Sequence, residues 1–302
     1  MELYRKGLFP MDAILNILKP LWEFLSGIII SAFPILNALF IIGAGCLGML
    51  LYGKFKEGIR DIVIKCIGIG VILFAISELW SSLFVLQDGR FETEGTLLVV
   101  ISLLIGALFG EALRLDVLLG KLGLVIHRLF EEKEPATKEK KPELTAEELA
   151  LLTIKREERA TGFLVAATLC GFSSPAFTHF LEGRMTDDPI PMLIKLAFDA
   201  LLVFWLASVY GSGVPFASAL VLLNLGELGI AYSLFGDFFT PKLMGQLSLV
   251  GGVILLSGGI CLCLGKRFRA ANLIPALFIP IIYTAVMTKT EELVDKLVGK
   301  DK

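Results

Sequence analysis

The sequence predicts an all-α fold, a polytopic transmembrane helical bundle of about eight spans. Apolar runs recur every twenty-odd residues along the chain, and about 20 residues at about 1.5 Å rise cross a hydrocarbon core of about 30 Å. The 302 residues are 55 % hydrophobic and only 19 % charged, with 22 Phe and 30 Gly. Mean hydropathy is +0.77, a balance that a soluble domain could not keep from aggregating. A bilayer interior offers backbone groups no water, so each span is continuous helix by default.

Residues 1–30 form an N-terminal extension. Phe9 to Ile30 is apolar but interrupted by Asp12, Lys19, Pro20 and Glu23, a pattern expected of an amphipathic interfacial helix. No small-residue cleavage site follows it, which argues against a signal peptide. The first transmembrane block, 31–114, holds three spans at about 33–53, 62–84 and 96–113. A charged cytoplasmic linker occupies 115–160, dense in Glu and Lys around Pro135 and Pro142. Thr145 and Glu148 have capping-box spacing, so a short helix is expected from about Ala146 to Arg159. The second block, 161–288, holds five spans at about 161–180, 193–210, 214–235, 246–265 and 272–288. A polar tail, 289–302, ends the chain.

Orientation follows from the cations in the connections. Lys54, Lys56, Arg60 and Lys65 follow the first span, the linker is lysine-rich, and Lys266, Arg267 and Arg269 follow the seventh. The alternate connections carry single cations, Arg90, Arg184 and Lys242. The positive-inside rule places the first set in the cytoplasm and both chain ends outside, although the lysines of the tail pull the other way.

Several function classes fall away. A net charge of -2 gives no basic face for nucleic acid. The five cysteines make no CxxC pair, and His127 and His179 have no HExxH spacing, so neither a metal nor a cofactor is expected. No Ser/His/Asp set or phosphate-binding glycine loop is visible, so an enzyme is not expected either.

Glycines mark close helix approach: Gly45 with Gly48, Gly106 with Gly110, and Gly251, Gly252, Gly258 and Gly259. Such faces would also permit a homo-oligomer. "GCLGMLLYGK" from Gly45 resembles "GICLCLGK" from Gly259, each leading into another apolar span, which suggests a degenerate internal repeat.

The chemistry lies in the second block. In "IKLAFDALLVFW" Lys195 and Asp199 are four apart and share a helix face. A charge at that depth costs roughly 2.5–3.5 kcal/mol on insertion scales, which makes a functional role the default for an intramembrane ionisable group. The plainer reading is a structural ion pair that locks two helices. Just before it, "LCGFSSPAFTH" sets Gly171, Ser173, Ser174 and Pro175 inside the fourth span. Pro175 removes a backbone donor and breaks or kinks the helix, freeing carbonyls beside hydroxyls. An ordinary proline kink is the simpler alternative. Asn224 and Glu227, at i and i+3, are expected to line the same cavity. Glu78 and Glu111 are expected near span ends, within reach of headgroups or water, and His179 at the interface.

The segments "LNALFIIGAGCLGMLLYGKFKEGIRD" from Leu36, "ISLLIGALFGEALRLD" from Ile101, "KLAFD" from Lys195 and "ANLIPAL" from Ala271 resemble the YqgA/YdfK family of bacterial inner-membrane proteins. The resemblance covers about residues 31–288 and includes Asn37, the Lys195/Asp199 pair and the Asn272/Pro275 motif. It implies a multi-pass address in a bacterial inner (plasma) membrane with lipid as the surrounding partner. The family is a domain of unknown function and implies no reaction.

The sequence therefore points to a carrier of a small solute or ion, with Asp199, Lys195, Ser173, Ser174, Asn224 and Glu227 around a helix break at Gly171 and Pro175. The rival expectation is a membrane scaffold or sensor subunit that binds a cytoplasmic partner through 115–160.

Overall fold

A computed structural model describes residues 11–87, 90–93, 95–130 and 146–298. Among them, eight helical segments are long and apolar enough to cross a membrane, and each overlaps one of the spans expected from the sequence. The polytopic all-α fold stands. One small exception is a two-stranded antiparallel hairpin, β1 (Phe84–Gln87) with β2 (Arg90–Thr93), between the second and third spans.

The first helix, α1, runs unbroken from Met11 to Met49, so the expected interfacial helix is not a separate element. Its 39 residues extend roughly 58 Å at about 1.5 Å each, close to twice a hydrocarbon core, and the apolar span within it is Trp22–Met49. The charges expected to interrupt it are compatible with helix because Lys19 and Glu23 lie one turn apart and pair at 4.0 Å on an exposed face.

After α2 (Glu57–Leu83), α3 (Thr96–Leu113) ends on Arg114, whose left-handed backbone (φ 51°) separates it from α4 (Leu115–Phe130). This helix was not expected, since the segment read only as part of a linker. Gly123 lets α4 sit against Phe163 of α5 (Ala146–Ala166). Residues 131–145, the heart of the expected lysine-rich linker, lie outside the described residues. Helix α5 is described from Ala146, and Thr145 of the expected capping box lies outside the described residues; the helix runs on past Arg159 into the fourth span. Glu158 explains how the charged turns are tolerated: it accepts from Tyr52 and pairs with Arg60 at 2.6 Å, tying α5 to the α1–α2 connection.

The fourth span is the centre of the bundle. Its apolar window is 83 % buried, against 22 % in each of the first three spans. Around it α1 packs on α7 (Pro189–Tyr210), α2 on α9 (Pro241–Leu264), and α3 on a 3₁₀ segment, Ala270–Leu277, that leads into α10 (Phe278–Val298). α8 (Ala217–Phe235) lies at the periphery, only 11 % buried.

The glycine pattern is explained by backbone contact. A Cβ at Gly48 would stand 2.1 Å from the Phe204 carbonyl oxygen, and one at Gly110 would stand 1.9 Å from that of Asn272. In lipid, helices associate through such close packing rather than through exclusion of water. The two runs that suggested a repeat each close on a glycine with positive φ, Gly53 at 76° and Gly265 at 60°.

Candidate functional site

The fourth span is not one helix. α5 passes into a π-helical turn, Ala167–Gly171, and a new helix, α6 (Ser174–Thr186), begins after two intervening residues. Pro175 sits in the first turn of α6, where a missing N–H breaks no intrahelical bond. The proline therefore starts a helix rather than kinking one, and the carbonyls before it are freed.

Those carbonyls are taken by side chains from other helices. Lys195 Nζ donates to the Cys170 carbonyl at 2.8 Å, and Asn224 Nδ2 of α8 donates to that of Gly171 at 2.7 Å. Ser173 Oγ donates to the Leu169 carbonyl, and the Phe172 amide to that of Thr168 at 3.1 Å. Polar groups withheld from water are satisfied in this way or leave a penalty.

Lys195 Nζ also donates to Asp199 Oδ2 at 2.7 Å, one turn along α7, and Asn37 Nδ2 of α1 donates to the same oxygen at 2.8 Å. Both charged side chains are 0 % exposed. Asp199 is the eleventh of the 22 residues of α7, so the pair sits near mid-span. Two acceptor oxygens beside it, Asp199 Oδ1 and Asn37 Oδ1, are buried without a hydrogen bond. One ion pair, four elements (α1, the π turn, α7, α8) and two unused acceptors thus meet at one break.

A second polar cluster lies on the other side of the same break. Glu78 of α2 accepts from Ser174 Oγ, from Thr178 Oγ1 at 3.1 Å and faces His179 Nε2 at 3.1 Å. Ser82 Oγ donates to Ser248 Oγ of α9 at 2.6 Å, and Ser248 lies 3.4 Å from Ser174. α9 approaches closely enough for this because of Gly251, where a Cβ would stand 2.6 Å from the Ser174 amide nitrogen.

The sequence-derived site is thus divided. Lys195, Asp199, Asn224 and Gly171 are brought together, joined by Asn37. Ser173 and Ser174 are buried, but Ser173 closes on its own turn and Ser174 turns to Glu78. Glu227 does not join: it is exposed on the outer face of α8, while Asn224 points inward. Spacing of three put the two on neighbouring faces, and the bundle covers only one of them. Glu78 and His179, expected near span ends, face into the bundle, with side chains 11 % and 15 % exposed. The pattern that marks them is a four-residue polar period, Glu78 with Ser82 on α2 and Ser174 with Thr178 on α6.

A third cluster stands at the basic end of the bundle. Asn272 in the 3₁₀ segment donates to Glu111 Oε2 at 2.8 Å and accepts from the Asp116 amide at 2.8 Å, while Arg267 pairs with Asp116 at 2.8 Å. Beside it a cavity of about 900 Å³ is lined by Asp61, Asp116, Lys121, Glu157, Lys266 and Arg267. The cavity reaches Leu164 and Val165, the residues just ahead of the π turn.

Comparison with known proteins agrees with the membrane architecture. The chain belongs to the family described as "Protein of unknown function (DUF554)", which matches residues 33–285. It is 24 % identical over 254 residues to the "Uncharacterized membrane protein YdfK" of Bacillus subtilis (strain 168), covering 84 % of this chain and 95 % of that one. It is 26 % identical over 256 residues to the "Uncharacterized protein YqgA" of Escherichia coli (strain K12), covering 84 % and 97 %. No solved structure matches the chain. The resemblance read from the sequence is thereby established, and the chain is a membrane protein of a family without an assigned function.

Proposed function

We propose that this protein carries a small solute or ion across a bacterial plasma membrane, with no enzymatic activity of its own. The observation that supports the reading best is the Lys195–Asp199 pair, wholly buried near mid-span and held against a carbonyl of a broken helix. Interrupted helices at membrane depth are tolerated where they line a site, and carriers use their freed backbone groups to hold ions and small solutes. Asp199 Oδ1 and Asn37 Oδ1 are the free acceptors that a cationic or hydrogen-bond-donating solute would engage. Asn224 and the Gly171 carbonyl complete the wall.

Access follows from the clefts. The cavity at the basic end stops at Leu164 and Val165, one turn short of the break, while the ion pair itself is sealed. In this reading the structure is an occluded state with a cytoplasmic vestibule, oriented as the cations predict. Solute arrival releases Lys195 from Asp199, and α5 and α6, joined only by the break, shift against each other.

The test is capacitive current from purified protein in liposomes on a solid-supported membrane, challenged with cations, protons, amino acids and small organic anions. A specific current that Asp199→Asn abolishes, with the variant still folded, supports the reading. Absence of both current and tracer uptake for every solute overturns it and leaves the scaffold role, to be tested by deleting 135–149 and pulling down partners.

A further inference from the structure

The geometry points to a second, separate site in this molecule: Glu78 and His179 bind a proton beside Ser174, the residue that starts α6. As a coupling site this rests on the transport reading above; as a proton site it stands on its own geometry.

Four observations converge. His179 Nε2 lies 3.1 Å from Glu78 Oε1, so in the neutral ring the hydrogen sits on Nε2 and the lone pair on Nδ1. That Nδ1 is buried with no hydrogen-bond partner, which leaves a basic nitrogen unoccupied beside a carboxylate. The Glu78 carboxylate is otherwise surrounded by hydroxyl donors, Ser174 and Thr178. And the pair retains 11–15 % exposure, whereas Lys195 and Asp199 have none.

Among the described residues, the other charges near the site are engaged elsewhere or face away. On the elements packed against α2 and α6, Lys195 and Asp199 of α7 pair with each other, and Glu227 of α8 is exposed. Lys242 of α9 lines a small cavity beside Ser82 and Gln246. On α6 itself, Arg184 donates to the Ile30 carbonyl and stacks over Tyr232, and Glu182 lies a turn beyond His179 toward the helix end. Phe74 packs edge-on to the imidazole at 6.2 Å and against Phe198 at 4.4 Å, walling the pair from the apolar side.

The consequence of binding is mechanical. One proton moves from water to Nδ1, or onward through the ring so that Glu78 becomes a carboxylic acid; no bond other than N–H or O–H changes. In either form Nδ1 becomes a donor with no acceptor beside it, so the imidazole must shift against Glu78 Oε1, while Ser174 and Thr178 keep their acceptor Oε2. Ser174 is the first residue of α6, three residues from the Gly171 carbonyl that Asn224 holds. The proton site and the Lys195–Asp199 site are therefore the two ends of one interrupted backbone.

The chain has two histidines, which makes the test direct. In full-length protein carrying His127→Gln and ¹⁵N-labelled histidine, the remaining imidazole is followed by NMR from about pH 5.5 to 8, where a histidine ordinarily titrates. A titration whose midpoint moves in Glu78→Gln, and less in Thr178→Val, is expected; a ring that keeps one protonation state throughout overturns the proton site. In liposomes, the wild-type current should vary with pH across that range and His179→Gln should flatten the profile. A pH profile unchanged in His179→Gln, or a sodium dependence that replaces it, overturns coupling at this pair. Failure of transport itself is read separately, from Asp199→Asn, and leaves the NMR result standing.

Discussion

The fourth and eighth spans are both interrupted helices, yet they dispose of their irregular backbone in opposite ways. The fourth breaks near mid-bundle, and its freed carbonyls accept from a buried lysine and a distant asparagine. The eighth begins as a 3₁₀ segment at the basic end, where Asn272 ties it to Glu111 and Asp116 and an exposed arginine completes the cluster. At the fourth span a broken helix holds a charge away from water, whereas at the eighth it is a strut fastened at the surface. Depth decides which of the two a helix break becomes, because only at depth must every polar group find a partner inside the protein.

The comparison can be broken most decisively at the buried pair. Lys195→Met or Asp199→Leu alone leaves an uncompensated charge, and each should lower stability by about 3–5 kcal/mol. The double variant should recover most of that loss while transporting nothing, as read by thermal unfolding in detergent and by liposome current. A double variant that still carries current would make the pair structural only.

Steric contact comes next. Gly110→Val drives a side chain into the backbone of the eighth span and should cost about 1–3 kcal/mol or more. Gly43→Val, with nothing within 4 Å of a Cβ, should be silent in the same unfolding assay. Equal effects would show that the eighth span does not depend on its close seat against α3.

Smaller still, Asn224→Ala strands the Gly171 carbonyl and should cost about 1–3 kcal/mol, with transport reduced. The smallest effect is expected at Arg267→Ala, whose side chain is 55 % exposed; loss of a pair of this kind is worth about 1 kcal/mol or less and should fade with salt. A reversal of that order, Arg267 outweighing Asn224, would move the functional centre to the basic end.

Much of this was legible in the chain. Lys195 and Asp199 stand out because charge in an apolar run is conspicuous, and helical spacing of four fixes their mutual contact. The break was visible as Gly171 and Pro175. Their roles were not, since a proline that starts a helix and one that bends it read alike until the helix before it is known to have ended. Glu227 was misassigned because its depth is set by its own helix, but its face is set by neighbours far along the chain. Glu78 and His179 were undervalued for the same reason: their partners lie 96–101 residues apart in sequence.

By itself, then, the sequence determined the membrane, the number of spans and the i,i+4 ion pair, all of which depend on local apolar length and helical periodicity. Only the tertiary structure decided that Asn37 and Cys170 complete the Lys195–Asp199 site, that Ser174 serves Glu78, and that Glu227 is left outside. Those assignments depend on which helices meet, and in a bilayer that choice is made by backbone contact at glycines scattered across the whole chain.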